Sequence, residues 1–232
     1  MSGSGHIAAI GSSTTYGIGT TKPSERWVDR FMAGLAARGL PVDPTAAGPL
    51  DVRALTPQDR VTLVDGALPG TMAGSPLINP AGSRSLTENY AVVYLVGLIS
   101  AEVMGQQPTI VFHMVGANDY GRGIDPRWYA DGLEFAADMF PSNTIHLFIG
   151  AYQPPGVTRA RFPWSSYADA MRKVVAKDPS HRLFLDLAPW FNAAKISASD
   201  PHGLVSPDGW HPTPTGHAAI AQLVLRGIGM GC

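Results

Sequence analysis

Short, unbroken apolar runs recur along this chain, and each one stops at a glycine or a small polar residue. Runs of this length without polar alternation are typical of strands buried on both faces of a parallel sheet. The sequence therefore predicts five strands, over residues 6–10, 61–64, 109–115, 144–149 and 183–187.

Between these runs the apolar residues repeat every three or four positions, which is the spacing of one helix face. In the first of these stretches, for example, Trp27, Val28, Phe31, Met32 and Leu35 fall on one side. Helices are predicted over residues 24–38, 85–104, 128–139, 167–176 and 213–226. Alternation of buried strands with helices indicates an α/β fold in which helices cover both faces of a parallel sheet.

A chain of 232 residues is long enough for one sizeable core and short for two. We therefore expect a single domain over residues 1–232, with residues 1–5 either flexible or a remnant of expression. No repeat or linker divides the sequence.

Composition excludes several classes of partner. With 17 Lys+Arg against 18 Asp+Glu, the chain lacks the net positive field that binds nucleic acid. Its longest apolar run, residues 91–99, is far shorter than the roughly 20 residues that cross a bilayer, so no membrane insertion is expected.

Cys232 is the only cysteine, which leaves no internal disulfide. The start of the chain lacks a signal-peptide pattern, so we expect a cytoplasmic protein or an already processed secreted one.

Residues capable of chemistry follow four different strands. They are Ser12 and Ser13 after the first, Gly70 after the second, Asn118 and Asp119 after the third, and Asp208 and His211 after the fifth. Because ligands of such sheets bind beyond the carboxyl ends of the strands, these loops are expected to converge at one edge.

Three of these side chains could together activate a nucleophile. A serine hydroxyl attacks a carbonyl only when a base takes its proton, and an imidazole does so when a carboxylate binds its far nitrogen. Ser13, His211 and Asp208 supply these groups. The backbone N–H groups of Ser13 and Gly70 and the amide of Asn118 are candidate donors to the oxyanion that forms.

The same residues resemble the SGNH (GDSL-type) hydrolases. Residues 11–17, Gly-Ser-Ser-Thr-Thr-Tyr-Gly, are similar to the first block of that family, GDSxTxG; residues 116–119 match its GxND block; and residues 208–212 match its DxxHP block. Residues 65–70 resemble a degraded second block. The resemblance implies a flavodoxin-like three-layer α/β/α sandwich with a five-stranded parallel sheet, and ester hydrolysis without a metal or other cofactor.

The resemblance also implies roles. Ser13 is then the nucleophile, His211 and Asp208 complete the catalytic residues, and Ser13, Gly70 and Asn118 form the oxyanion hole. This sequence departs from the family pattern in two blocks. From the first departure we expect changed loop support rather than lost chemistry, and the second concerns the assignment of Gly70. Ser12 replaces the usual aspartate of the first block, and in the second block Asp65 and Ala67 replace an asparagine and a glycine.

The substrate is expected to be a small-molecule or glycan-linked ester, contacted by Trp210 and Asp119. Two other functions stay open at this point: an acyltransferase that uses the same acyl-enzyme, and a non-catalytic glycan-binding module. The oligomeric state is not predicted. A metal site made of His202, His217, Asp208 and His211 is disfavoured because the spacing fits no zinc motif. His113 and His146, inside apolar strands, are interpreted as core residues.

Overall fold

The structure, a computed structural model, describes residues 6–40, 62–65, 67, 69, 72–74, 108–193 and 203–230. Within these ranges five strands form one parallel sheet in the order β2-β1-β3-β4-β5. The strands are β1 (His6–Gly11), β2 (Thr62–Asp65), β3 (Ile110–Met114), β4 (Ile145–Gly150) and β5 (Arg182–Asp186). The predicted α/β fold with a five-stranded parallel sheet is confirmed, and each strand begins within one residue of the predicted position.

Helices pack on both faces of this sheet. They are α1 (Ser13–Tyr16), α2 (Trp27–Ala36), α3 (Ala117–Arg122), α4 (Pro126–Asp138), α5 (Trp164–Ala176), α6 (Ala188–Ala193) and α7 (Pro214–Gly227). The buried side chains of α2 and α7 form one core with Ile7 and Ala9 of β1. Those of α4 and α5 form a second core with Ala8 and Ile10. Successive β1 residues therefore face opposite layers, as expected for a strand covered on both sides.

Helix starts differ from the prediction where a proline precedes the apolar pattern. Helix α4 begins at Pro126 because the Asp125 carboxylate caps it by accepting the backbone N–H of Arg127 at 2.9 Å. Helix α2 begins at Trp27 rather than at residue 24, since Pro23–Glu25 forms a separate 3-10 turn. The helix predicted over residues 85–104 lies outside the described residues.

The order of the strands creates a switch point between β1 and β3. From β1 the chain goes to β2 on one side of the sheet, and it then returns to β3 on the other side of β1. This is the flavodoxin-like order, and in such sheets the loops that leave the two strands at the switch point diverge and leave a crevice. Ser13 follows β1 and Asn118 follows β3, so both lie at this crevice.

His113 and His146 are buried core residues, as predicted. The Nε2 of His113 lies 3.0 Å from the Nδ1 of His146, and the His113 ring stacks on Phe148. Desolvation lowers the pKa of both rings, to about 4 for His146. Both imidazoles are therefore neutral in the folded protein at pH 7, and the pair contributes a satisfied polar contact to the core. No helix among the described residues is long and apolar enough to span a bilayer.

Candidate active site

The turn that contains Asp208 and His211 is organised by the Asp208 carboxylate itself. Its Oδ1 accepts the backbone N–H groups of Trp210 and His211, at 2.8 and 3.1 Å. Its Oδ2 lies 2.6 Å from Nδ1 of the His211 ring. The turn is closed by a hydrogen bond of 2.7 Å from the Ser206 N–H to the His211 carbonyl. One side chain thus fixes both the turn and the orientation of the imidazole.

These contacts decide the charge state of Asp208. Partial burial acts to raise the pKa of its carboxyl, but the hydrogen bonds from the His211 ring and from the two backbone N–H groups outweigh this effect and lower it. Asp208 is therefore ionised at neutral pH. An ionised carboxylate at Nδ1 favours the tautomer with its proton on that nitrogen, which leaves Nε2 free to accept.

Ser13 lies next to this accepting nitrogen. It begins helix α1 directly after β1, and the backbone N–H of Ser12 bonds the Met114 carbonyl of β3 at 3.3 Å. The Ser13 Oγ is 2.9 Å from Nε2 of His211, although 198 residues separate the two. The structure thus brings together the three side chains that the sequence predicts as nucleophile, base and orienting acid, which are Ser13, His211 and Asp208.

The loop after α1 and the turn of His211 are packed against each other. Gly19 has φ +97°, and a Cβ at this position would collide with the Pro212 carbonyl. Ring Nε2 of His217, on α7, lies 3.2 Å from the Ile18 carbonyl, and its Nδ1 accepts the Trp27 N–H at 3.3 Å. The sequence pattern did not assign these contacts, because the partners of His217 lie about 190 residues upstream.

His217 makes the fold sensitive to acid. Burial lowers the pKa of its ring to about 4, against 6.5 in an exposed histidine, although the bond to Ile18 opposes the shift. Between these values the unfolded chain binds a proton that the folded chain does not, so stability falls as the pH decreases through this window.

Replacing His217 with Gln, which keeps a donor and an acceptor but does not titrate, should reduce the loss of unfolding free energy between pH 7 and about pH 4.5 by about 2 kcal/mol. Urea denaturation at both pH values measures the unfolding free energy. Equal losses of this free energy in the wild type and the His217→Gln variant would contradict the prediction.

Asn118 lies in the first turn of α3, beyond the carboxyl end of β3. The backbone reaches this turn through Gly116, whose φ of +124° and close contact with the Tyr129 hydroxyl leave no room for a side chain. That hydroxyl donates to the Val115 carbonyl at 2.9 Å. Asn118 is half-buried, and it follows β3, the strand that pairs with the one leading to Ser13. Gly70 lies outside the described residues, so its place in the oxyanion hole stays a prediction.

The sequence matches the model of the GDSL-like lipase/acylhydrolase family over residues 9–219. The chain belongs to this family. The match encloses every residue that the sequence predicted for the site, and it bears out the predicted serine esterase or deacylase. No curated protein matches the sequence significantly.

Solved structures of the same fold include three esterases. A catalytic mutant of Axe2, an acetylxylan esterase from Geobacillus stearothermophilus, shares 19% identity, with 98% of this chain and 95% of that chain covered and a TM-score of 0.63. The psychrotrophic esterase EstA from Pseudoalteromonas sp. shares 17% identity, with 96% of both chains covered and a TM-score of 0.59. A family 3 carbohydrate esterase of Clostridium thermocellum shares 17% identity, with 95% of this chain and 92% of that chain covered and a TM-score of 0.59. At these identities the likeness shows the fold.

Ser12, where this GDSL-family member departs from the usual aspartate, is buried at the N-cap of α1. Its hydroxyl makes no capping hydrogen bond to the helix. The nucleophile helix is instead anchored through Thr15, whose Oγ1 accepts Nε1–H of Trp27 at 3.3 Å. The change in loop support that the sequence predicts at Ser12 stays a prediction.

The predicted contact of Asp119 with substrate is wrong. The residue is 0% exposed, and its carboxylate accepts the backbone N–H groups of Gly74 at 2.8 Å and Ala73 at 3.3 Å. Burial raises the pKa of Asp119 to about 7, and the bonds from Gly74 and Ala73 limit that rise. The sequence pattern missed this because the position after Asn118 is exposed in a simple loop but is covered here by the segment of residues 72–74.

Trp210 packs across the site rather than standing free at its rim. Its indole lies against Gly121 of α3 and against Gly156, and a Cβ at either glycine would collide with the ring. The Tyr152 hydroxyl donates to the Trp210 carbonyl at 3.0 Å, and the Gly156 N–H donates to Gly209 at 3.0 Å. The indole is half-buried, so contact between its remaining surface and a substrate stays a prediction.

No cluster of three or more metal-ligating side chains occurs among the described residues. His211 is bonded to Asp208 and Ser13, and His217 to backbone groups, so neither ring has a nitrogen directed at a shared ion. His202 lies outside the described residues.

Asn118 offers a direct test of the oxyanion hole. Replacing it with Ala should lower kcat by about 10²- to 10³-fold, with a small change in KM, because a lost oxyanion donor matters mostly in the transition state. The matched control is Asn143→Ala, in an exposed turn at the other end of the sheet. Steady-state hydrolysis of an aryl ester measures both variants. Equal kcat values for Asn118→Ala and Asn143→Ala would show that Asn118 does not donate to the oxyanion.

Proposed function

We propose that this GDSL-family esterase hydrolyses carboxylic esters through an acyl-enzyme on Ser13. The observation that carries the proposal is the continuous hydrogen-bonded array from Ser13 Oγ through His211 to Asp208, with distances of 2.9 and 2.6 Å. Nucleophile, base and orienting acid at such distances form the arrangement that activates a hydroxyl.

The first half of the reaction forms the acyl-enzyme. The Ser13 Oγ attacks the ester carbonyl while its proton passes to Nε2 of His211, and the carbonyl oxygen becomes an oxyanion. The Ser13 N–H, the Asn118 amide and the Gly70 N–H are the proposed donors to that oxyanion. When the tetrahedral intermediate collapses, the carbon–oxygen bond to the alcohol breaks and His211 returns the proton to the departing oxygen.

The second half releases the acyl group. Water enters where the alcohol left, loses a proton to His211 and attacks the acyl carbonyl. Collapse of the second intermediate gives the free acid and restores the Ser13 hydroxyl. Throughout, Asp208 keeps the His211 ring oriented and stabilises the imidazolium that forms after each proton transfer.

For the substrate we propose an acetyl or other short acyl ester on a carbohydrate. Two observations support this class. Trp210, the proposed sugar-contacting residue, lies between Asp208 and His211, and aromatic faces suit sugar rings. Axe2, described as an acetylxylan esterase, has the same fold over nearly the whole of both chains. Hydrolysis of acetylated xylan, compared with a chain-length series of aryl esters, tests the class. A preference for long acyl chains with no activity on the polysaccharide would overturn it.

A fluorophosphonate tests the proposed nucleophile. This reagent reacts covalently with an activated serine hydroxyl, so we expect one equivalent to bind and peptide mass spectrometry to locate it at Ser13. Loss of ester hydrolysis should follow the labelling stoichiometrically. Absence of labelling in a protein that binds glycans would favour the non-catalytic module, and formation of a transfer product with an added alcohol would favour the acyltransferase.

A further inference from the structure

One turn of helix carries both the proposed nucleophile and an exposed aromatic ring. In α1 the backbone N–H of Tyr16 donates to the Ser12 carbonyl at 3.0 Å, and that of Gly17 donates to the Ser13 carbonyl at 3.0 Å. These bonds join residues four apart, as in an α-helix. Residues three apart on a helix are neighbours, with about 5–6 Å between their Cβ atoms. The Tyr16 side chain therefore lies beside that of Ser13.

The two sides of α1 differ in burial. Thr14 and Thr15 are buried, and the Thr15 hydroxyl is bonded to the indole of Trp27 in the core. Ser13 is half-buried, whereas Tyr16 is 40% exposed. Ser13 and Tyr16 therefore share the outer side of the turn, which is the side that a substrate can reach.

The backbone around Tyr16 is fixed. The Ile18 N–H donates to the Ser13 carbonyl at 2.9 Å, and Gly17 closes α1 with φ +105°. A Cβ at Gly17 would lie 2.5 Å from the side chain of Arg26, which is itself 5% exposed, so the space behind the loop is filled. An exposed ring on a fixed backbone loses little conformational entropy when it binds a ligand.

The alcohol part of an ester lies on the side of Ser13 that carries His211. When the tetrahedral intermediate collapses, the departing oxygen takes its proton from Nε2 of His211, which is 2.9 Å from the Ser13 Oγ. The proposed oxyanion, in contrast, faces α3. The loop that follows α1 packs against the turn of His211, because Gly19 lies directly against the Pro212 carbonyl. Tyr16 is thus on the same side of the nucleophile as the departing alcohol.

We propose that Tyr16 is a specificity-determining residue, whose ring contacts the alcohol part of the substrate and favours alcohols that are themselves rings, such as sugars. This inference rests on the proposed ester hydrolysis at Ser13, and it adds a second aromatic contact to that proposed for Trp210. The face of a tyrosine ring is apolar and suits the C–H face of a sugar, while its hydroxyl stays in water. Tyr16 takes no part in the proton transfers.

The first test varies the alcohol while the acyl group stays acetyl. Trifluoroethyl acetate and phenyl acetate are both reactive esters, but only the second has a ring in its alcohol. We expect Tyr16→Ala to lower kcat/KM for phenyl acetate about 5- to 10-fold and that for trifluoroethyl acetate less than about twofold. An acetylated xyloside should behave like phenyl acetate. Tyr16→Phe keeps the ring and should restore most of the loss.

A second readout separates the alcohol side of the site from the rest. After the alcohol has left, every acetate ester gives the same acetyl-enzyme on Ser13. Its rate of hydrolysis, followed by mass spectrometry of the intact protein after rapid mixing, should therefore be the same in Tyr16→Ala and the wild type. A general disturbance of α1 would slow this step too, because Ser13 belongs to the same helix. The preference between nitrophenyl acetate and nitrophenyl butyrate should also be unchanged.

Phe135→Ala is the matched control. Phe135 is also 40% exposed, in the last turn of α4. This helix leads to the beginning of β4, so Phe135 lies towards the opposite edge of the sheet from Ser13. The control variant should match the wild type on every ester. All rates are normalised to the sites that a fluorophosphonate labels, so that misfolded protein is not counted.

The outcomes separate this inference from the proposed function. Unchanged kcat/KM for phenyl acetate in Tyr16→Ala, or an equal fall for both acetates, would overturn the inference. Slower hydrolysis of the acetyl-enzyme or an altered acyl preference would place Tyr16 at the acyl side and would also overturn it. If the wild type neither hydrolyses esters nor reacts with fluorophosphonate, the proposed function fails instead.

Discussion

Replacing Ser13 with alanine is expected to lower kcat for aryl esters by about 10⁵- to 10⁶-fold. Without the nucleophile, only substrate binding and stabilisation of the oxyanion remain to accelerate the reaction. The variant should still fold. Alanine suits the first position of α1, and the hydrogen bonds that anchor this helix come from the Ser12 N–H and from Thr15. Affinity for a non-hydrolysable substrate analogue should therefore be nearly unchanged.

The measurement is steady-state hydrolysis of an aryl acetate, with Ser165→Ala as the matched control. Ser165 is exposed in the first turn of α5, and its loss should leave kcat unchanged. The Ser13 variant should also fail to bind fluorophosphonate. Retention of more than about 1% of wild-type kcat, in protein free of contaminating esterase, would assign the chemistry to another group.

Asp208→Asn should give the second large effect, a fall in kcat of about 10³- to 10⁴-fold. An Asn side chain can place its NH2 group towards Nδ1 of His211, which favours the tautomer that carries its proton on Nε2. That nitrogen then cannot take the proton of Ser13. The Asp208 side chain is 46% exposed, so water partly replaces its charge and the effect should be smaller than that of losing Ser13.

The same substitution separates catalysis from stability. The Asn oxygen can still accept the N–H groups of Trp210 and His211, so the turn should persist and the unfolding free energy should change by less than about 1 kcal/mol. Chemical denaturation and kinetics are measured on the same protein samples, with Asp169→Asn as the exposed control. A fall in kcat of less than tenfold would show that Asp208 does not orient the imidazole.

The parts of the site that could be predicted from sequence are those with local causes. Asp208 and His211 are three residues apart, and the carboxylate bonds the backbone of its own turn, so their arrangement follows from a short stretch. The meeting of Ser13 with His211 followed from a rule about parallel sheets, in which loops that leave the carboxyl ends of strands share one edge.

The parts that were missed depend on contacts between distant segments. Asp119 was interpreted as a substrate contact because its burial is not evident from the sequence. That burial depends on residues 72–74, whose position no periodic pattern reveals. The slot for Trp210 depends on two glycines, Gly121 in α3 and Gly156 in the connection between β4 and α5. Helices α1, α3 and α6 have four to six residues, too few to show a 3.6-residue repeat.

The separation of Ser13 from His211 by 198 residues affects how the enzyme is made. On the ribosome, the proposed nucleophile emerges early, and the proposed base follows only after the five strands of the described sheet have been synthesised. A chain that is still being translated should therefore not hydrolyse esters. Two separately expressed pieces, cut between β5 and the turn of Asp208, would acquire turnover only on reassociation, so hydrolysis of a chromogenic ester would report their reassembly.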